Sequence, residues 1–382
     1  MPITKPIINR VQFIPFILLM LMSSLTLAQT VVEPFKLMTY SYDGGSAQVG
    51  IVLRDNYVIE LSEANRNLEL DLRYPSLPMP ADMIGLVERY EYGLKRRIYE
   101  IVNAEVASDS LISNRPNYIH ELAEIRTLPP LLYPGKILNV AVNFYSHIDE
   151  QGNPVEIEQA RAARRQNRGN PYLFYKSARG AIIANNETVV LPFGRTEIDW
   201  EVELATVIGS PAKYVSATNA EDYIFGYTVT IDVSDRGGRP PGGFQGVDWF
   251  VGKGHDTFTP MGPWIVPKEF FVNPMDHLHQ TLTVDGELMQ EALGEDMIHN
   301  IFEVIEYASS VMSLYPGDVL SNGTSGGTGM GTAVRGEQRF LKDGEVMEAS
   351  IVGIGTLHIP VAAETSRPEG TGSQLAPVKS YK

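Results

Sequence analysis

Asp199-Trp200-Glu201-Val202-Glu203-Leu204-Ala205-Thr206-Val207-Ile208 alternates acidic with apolar residues, then runs on in small and β-branched ones. A strand sends every second side chain to the same face. The pattern predicts a strand with Asp199, Glu201 and Glu203 on one face, successive members ~6.6–7 Å apart. Trp200, Val202 and Leu204 then point into the core. A second apolar run ends Thr230-Ile231-Asp232-Val233-Ser234, and a neighbouring strand could bring Asp232 to the same point. Carboxylates inside an otherwise apolar strand are costly unless a cation or hydrogen-bond donors compensate them. An all-oxygen set suits a hard cation, Mg²⁺, Mn²⁺ or Ca²⁺, rather than zinc. The competing reading is a solvated sheet face with scattered acids, and the stretch alone leaves both open.

Around this stretch lies a chain of 382 residues, long enough for one large and one smaller domain. Its 34 glycines and 25 prolines imply many turns and a β-rich core. The absence of cysteine excludes disulfides, thiolate metal sites and cysteine nucleophiles. A formal net charge of −15 argues against nucleic acid as the main partner.

Lys5 and Arg10 precede the apolar run Phe13 to Met22, and small residues follow up to Ala28. This order predicts a cleaved signal peptide over 1–28 and an exported protein, periplasmic or secreted, with no stable membrane span after cleavage. A small α+β domain is expected over 29–130. It has short strands within 34–62 and helical spacing from Met83 to Ile98 within 81–106. Leu128-Pro129-Pro130 marks a boundary. The second domain spans 131–363, and a polar tail, 364–382, is expected to be disordered.

Within the second domain His147 and Glu150 are three residues apart, so one helical turn would set them side by side. A carboxylate on imidazole fixes its tautomer and raises its basicity, as a general base requires. A helix-surface ion pair has the same spacing. Residues 151–170 are rich in Arg, Gln and Asn, which suits either a helical flap that excludes water or a solvated helix. Asp285-Gly286 between alternating runs predicts a hairpin, and 295–313 reads as an amphipathic helix. Gly323-Thr324-Ser325-Gly326-Gly327 matches the GxSxG pattern of an esterase nucleophile. The glycines that follow cannot begin a good helix, so the required strand-to-helix turn is not expected. His277-Leu278-His279 reads as surface loop, and the Trp and Phe residues of 249–264 as core.

Taken in order, these stretches resemble the fumarylacetoacetate hydrolase family. The resemblance rests on Asn143-Phe144-Tyr145-Ser146-His147 through Glu150, Phe174-Tyr175-Lys176, Asp199 to Leu204, and Gly226-Tyr227 to Asp232-Val233-Ser234-Asp235-Arg236. Gly252-Lys253 with Asp256, Met261-Gly262-Pro263-Trp264, Pro316-Gly317-Asp318 and Gly323-Thr324 complete it. It covers roughly 131–360. It implies a mainly β fold with α+β elements, a mixed β-roll catalytic domain preceded by the small N-terminal α+β domain, and a homodimer. It implies that Glu201, Glu203 and Asp232 hold Mg²⁺ or a similar cation, Mn²⁺ or Ca²⁺, and that His147 and Glu150 activate water. Lys253 would stabilise developing negative charge, while Lys176, Arg236 and Thr324 would hold an oxo- or dicarboxylic-acid substrate. The expected activity is metal-dependent hydrolysis of carbon–carbon bonds in acylpyruvate or β-diketo acids. Isomerase, decarboxylase or hydratase chemistry on related 2-oxo acids is the alternative, followed by a non-catalytic exported oxo-acid-binding protein. Ser325 stands where the family usually has proline, the loop Gly237–Gly246 is unusually rich in Gly and Pro, and a signal peptide is atypical.

Overall fold

The computed structural model describes residues 30–150, 154–238, 248–336 and 338–369. The expected signal segment therefore lies outside the described residues, as do 151–153 of the expected flap, 239–247 of the Gly/Pro-rich loop and the tail from 370. Among the described residues no helix is long and apolar enough to cross a membrane.

The N-terminal part runs β1 (Lys36–Ser41), β2 (Gln48–Leu53), β3 (Tyr57–Glu60), α1 (Leu61–Leu68), α2 (Met83–Arg89), α3 (Leu94–Ala107), β4 (Ile119–Glu121) and β5 (Arg126–Leu128). It continues through β6 (Ile137–Ala141), α4 (Tyr145–Ile148), α5 (Pro154–Gln166), β7 (Tyr172–Lys176), β8 (Ile182–Ile183), β9 (Val189–Leu191), β10 (Ile198–Asp199), β11 (Val202–Ile208), β12 (Ile224–Ile231) and β13 (Ser234–Asp235). The last elements are α6 (Trp249–Lys253), β14 (Thr259–Pro267), α7 (Pro274–His277), β15 (His279–Val284), β16 (Glu287–Leu293), α8 (Ile301–Val311), β17 (Val319–Thr324), β18 (Val346–Ile351) and β19 (Gly355–Ala363).

The fold is mainly β with α+β elements. One long mixed sheet runs β4-β3-β2-β1-β14-β12-β11-β17-β6-β7, and a second runs β16-β15-β18-β19-β9. The expected boundary near residue 130 falls just after β5, yet the path between the two parts is continuous, with Leu37 of β1 opposite Ile265 of β14. β11 shows why. Val202 and Leu204 pack into a core shared with the second sheet, including Leu282, Met347 and Leu357. Ala205 and Val207 face the other way, into a core with Ile98, Ile101 and Val102 of α3. A strand covered on both faces needs a near-continuous apolar run, and β11 is buried at every position.

Local chemistry accounts for several boundaries. Helical spacing over 81–106 is divided into α2 and α3 because Gly93 sits at φ 105°, in the left-handed region that suits glycine. The amphipathic stretch 295–313 becomes the shorter α8, because Asn300 caps it. The Asn300 side chain accepts from Phe302 and Glu303 amides, and Glu303 returns a bond to the Asn300 amide, a reciprocal capping box. β15 and β16 form the hairpin expected at Asp285-Gly286, both residues having positive φ. The expected loop at His277–His279 is a correction: His277 ends α7 and His279 opens β15 around the buried Leu278. The aromatic stretch divides. Trp264 is buried, whereas Phe250 is 83% exposed on α6.

Candidate functional site

β11 and β12 are antiparallel, with Val202 opposite Ile231 and Glu203 opposite Thr230. The Asp232 amide then donates to the Glu201 carbonyl at 2.8 Å. This register brings Glu201, Glu203 and Asp232 to one end of the central strands. One carboxylate oxygen from each lies within 4.8 Å of the others, and all three residues are buried. Asp199 goes elsewhere, which corrects the expected row of three on one face. The strand breaks at Trp200-Glu201, and β10 pairs with β13 instead. Alternation predicts a common face only while a strand is unbroken.

Three cations surround the carboxylates. Lys253 Nζ is 3.1 Å from Glu201 Oε2, 2.7 Å from Asp232 Oδ2 and 2.5 Å from Ser234 Oγ. Lys176 Nζ donates to the Val233 carbonyl at 2.8 Å and lies 2.8 Å from Asp232 Oδ1. Arg236 bridges Asp199 Oδ2, at 3.0 Å, and Glu201 Oε1. Burial would lower Lys253, but Asp232 and Glu201 hold its ammonium above the ordinary lysine range. Burial does lower Lys176, with Asp232 opposing it. Asp232 would be raised by burial, yet Lys176 and Lys253 hold it below the usual carboxylate range.

Glu203 has the opposite fate. Burial first, then Asp232 and Glu201, push its carboxyl well above the glutamate range. The donor set is all oxygen, buried and mutually repulsive, with one oxygen of each acid within 4.8 Å of the others. These residues fit a hard divalent cation. Without one, the folded chain keeps a Glu203 proton that the unfolded chain loses above about pH 4.3. Stability must then fall as pH rises from that point toward the raised folded value. Thermal unfolding in EDTA is expected to occur at lower temperature at about pH 8 than at about pH 5, with Glu203→Gln flattening the trend. Parallel profiles for the two proteins would refute this.

The His147–Glu150 pair forms on α4 and the turn after it. His147 Nδ1 is 2.5 Å from Glu150 Oε2, and both side chains are largely buried, so this is no solvated surface pair. Asn143 fixes the approach to α4: Nδ2 donates to the His299 and Asn322 carbonyls at 2.9 and 2.7 Å, and Oδ1 accepts the His299 amide at 2.9 Å.

The glycine loop after β17 joins the two halves of the site, a role that motif spacing did not suggest. Four successive amides are divided between two acids. Gly327 and Thr328 donate to Glu150 Oε1 at 2.5 and 2.8 Å. Gly329 and Met330 donate to Asp199 at 2.5 and 3.1 Å. Asp199 passes the connection through Arg236 to Glu201. Two glycines are indispensable here. Gly327 has φ 96°, and a Cβ on it would strike the Met289 carbonyl; a Cβ on Gly331 would overlap the Glu150 carboxylate.

The remaining expected residues are also placed. Thr324 Oγ1 donates to the Val202 carbonyl at 2.9 Å and accepts from Gln290, so its hydroxyl is engaged with the chain. Ser325 Oγ is buried without a hydrogen-bond partner, and no helix follows it directly. The flap is helical as α5, and Arg161 pairs with Asp149, beside the dyad. A cavity of about 410 Å³ opens along Ser146, Glu150, Met289 and Gly326. A larger cleft, about 1010 Å³, runs along Lys36, Trp264 and His358 and contains none of these site residues, whereas the smaller one reaches Glu150 of the dyad.

The sequence pattern of the fumarylacetoacetate (FAA) hydrolase C-terminal domain matches residues 136–362. A 2,4-didehydro-3-deoxy-L-rhamnonate hydrolase of Sphingomonas sp. is 36% identical over 253 residues, 66% of this chain and 79% of that protein. A mitochondrial oxaloacetate tautomerase of Bos taurus is 33% identical over 297 residues, 78% of this chain and 85% of the tautomerase. Among solved structures, maleylpyruvate hydrolase from Sphingobium sp. SYK-6, in complex with manganese(II) and pyruvate, matches with a TM-score of 0.60 and 25% identity. That match covers 86% of this chain and 99% of the other.

Proposed function

The chain belongs to the fumarylacetoacetate hydrolase family, and we propose that within it this protein is a metal-dependent hydrolase of carbon–carbon bonds in acylpyruvate or β-diketo acids. The observation that carries this reading is the fixed His147–Glu150 pair, tied by consecutive loop amides to Asp199, which Arg236 links to Glu201 of the carboxylate cluster. Manganese(II) and pyruvate in the maleylpyruvate hydrolase support a cation and a 2-oxo acid as its complement.

A divalent cation held by Glu201, Glu203 and Asp232, Mg²⁺ in our reading, supplies Lewis-acid polarisation of substrate oxygens. With Nδ1 turned to Glu150, His147 offers Nε2 to a water and takes its proton as the oxygen adds to the distal carbonyl. The carbon–carbon bond then breaks, and its electron pair stays on the oxo-acid fragment as an enolate. The proton held on His147 returns to that fragment. Lys253 meets the developing negative charge with an ammonium already fixed in place. Arg236 orients Glu201, Lys176 steadies Asp232, and α5 excludes bulk water.

The test is an absorbance assay on acylpyruvates and oxaloacetate, with EDTA and with Mg²⁺ or Mn²⁺ added back. Metal-restored cleavage is expected. Keto–enol interconversion of oxaloacetate without cleavage would replace the hydrolase with a tautomerase, the activity named for the Bos taurus relative. Metal-dependent binding without turnover would leave a capture protein. Ser325→Ala is expected to keep activity within about twofold, because removing an unpaired buried hydroxyl breaks no bond; complete loss would restore the serine-esterase reading. We further propose a homodimer, to be checked by light scattering, and export, to be checked by cell fractionation.

A further inference from the structure

We propose that Thr328 is a positioning residue for the His147–Glu150 pair; the inference rests on the reading of His147 as the general base. Four donors converge on the Glu150 carboxylate. Oε1 accepts the Gly327 and Thr328 amides, and Oε2 accepts His147 Nδ1–H at 2.5 Å and Thr328 Oγ1–H at 2.9 Å. The amides come with any residue at these positions. The hydroxyl comes only with threonine or serine.

Its direction is set by a second bond. Thr328 Oγ1 accepts the Gly331 amide at 3.1 Å, so the hydroxyl proton is left for Glu150. The Thr328 side chain is fully buried. Oε2, the oxygen that holds the imidazole, is therefore restrained from the loop side as well. Without the hydroxyl, Oε2 would be held by the imidazole alone, and the carboxylate could pivot about its amide-bound oxygen. His147 would then lose its fixed tautomer. This gives a chemical function to the part of the glycine loop beyond Ser325.

The experiment compares Thr328→Val, Thr328→Ala and Thr328→Ser with wild type and with His147→Ala. The substrate is whichever acylpyruvate or oxaloacetate the assay above turns over. Loss of the hydroxyl is expected to lower kcat by about 10–100-fold, the usual cost of removing a partner that orients an active group. KM and Mg²⁺ affinity should stay within about twofold. Thr328→Ser should recover most of kcat. The valine and alanine variants bracket the packing change, so either one suffices if the other fails to fold. Imidazole nitrogen resonances of ¹⁵N-histidine-labelled protein read the same contact without substrate. His147 is expected to hold the Nδ1–H tautomer in wild type and Thr328→Ser, and to exchange between tautomers in the valine and alanine variants. Wild-type kcat or unchanged resonances in those variants overturn the inference, as does an equal loss in Thr328→Ser. Full turnover in His147→Ala instead overturns the general-base reading itself.

Discussion

His147→Ala is expected to lower turnover by about 10²–10⁴-fold, the usual contribution of a positioned general base, while leaving Mg²⁺ binding unchanged. The two effects separate because the imidazole is bound to Glu150, whereas the carboxylate trio lies at one end of β11 and β12, with Glu203 on β11 and Glu201 and Asp232 next to the strand ends. No hydrogen bond or ion pair joins the ring to Glu201, Glu203 or Asp232 among the described residues. The Glu150 carboxylate keeps its loop donors when the ring is removed, so it is not left as an unpaired buried charge. Calorimetric titration of Mg²⁺ against both proteins, alongside the absorbance assay, makes the check. Undiminished turnover would remove the pair from the mechanism. Loss of metal binding together with turnover would mean that α4 supports the carboxylate cluster directly.

Glu203→Gln is expected to abolish Mg²⁺-restored activity and to weaken Mg²⁺ binding by at least about a hundredfold, beyond the range seen for residues that merely support a ligand. Glutamine is the informative substitute because the Glu203 carboxyl is already driven toward its neutral form in the metal-free site. The variant therefore retains the shape of the metal-free fold and loses the charge a cation needs. Glu201→Ala is less clean. Glu201 receives both Arg236 and Lys253, and deleting it would leave buried cations short of a partner, at a cost of about 3–5 kcal/mol. An unfolded Glu201 variant would say little about metal, whereas a folded, inactive and metal-free Glu203→Gln would identify the ligand. Retained metal-dependent turnover in Glu203→Gln would sink the site assignment.

Several features were legible because they are local. The Asp285-Gly286 hairpin follows from two residues that tolerate positive φ. The contact of His147 with Glu150 follows from their spacing on one helical turn. The cost of acids in an apolar run pointed to Glu201 and Glu203, and the end of a second run pointed to Asp232. The fate of Asp199 was not legible. Its alternation with Glu201 is perfect in the sequence, but the break at Trp200-Glu201 turns it toward loop amides more than a hundred residues away in the chain.

The sequence by itself determined a β-rich chain without thiol chemistry, the strands that carry the acids and the turn that pairs imidazole with carboxylate. Each depends on periodicity, composition or a neighbour within a few residues. Tertiary structure decided which acids meet, which cations neutralise them and what holds Glu150. Those outcomes depend on strand register and on loop amides that become donors only when β17 brings the glycine loop against both acids. Backbone amides carry no residue identity, so no pattern of side chains could announce them.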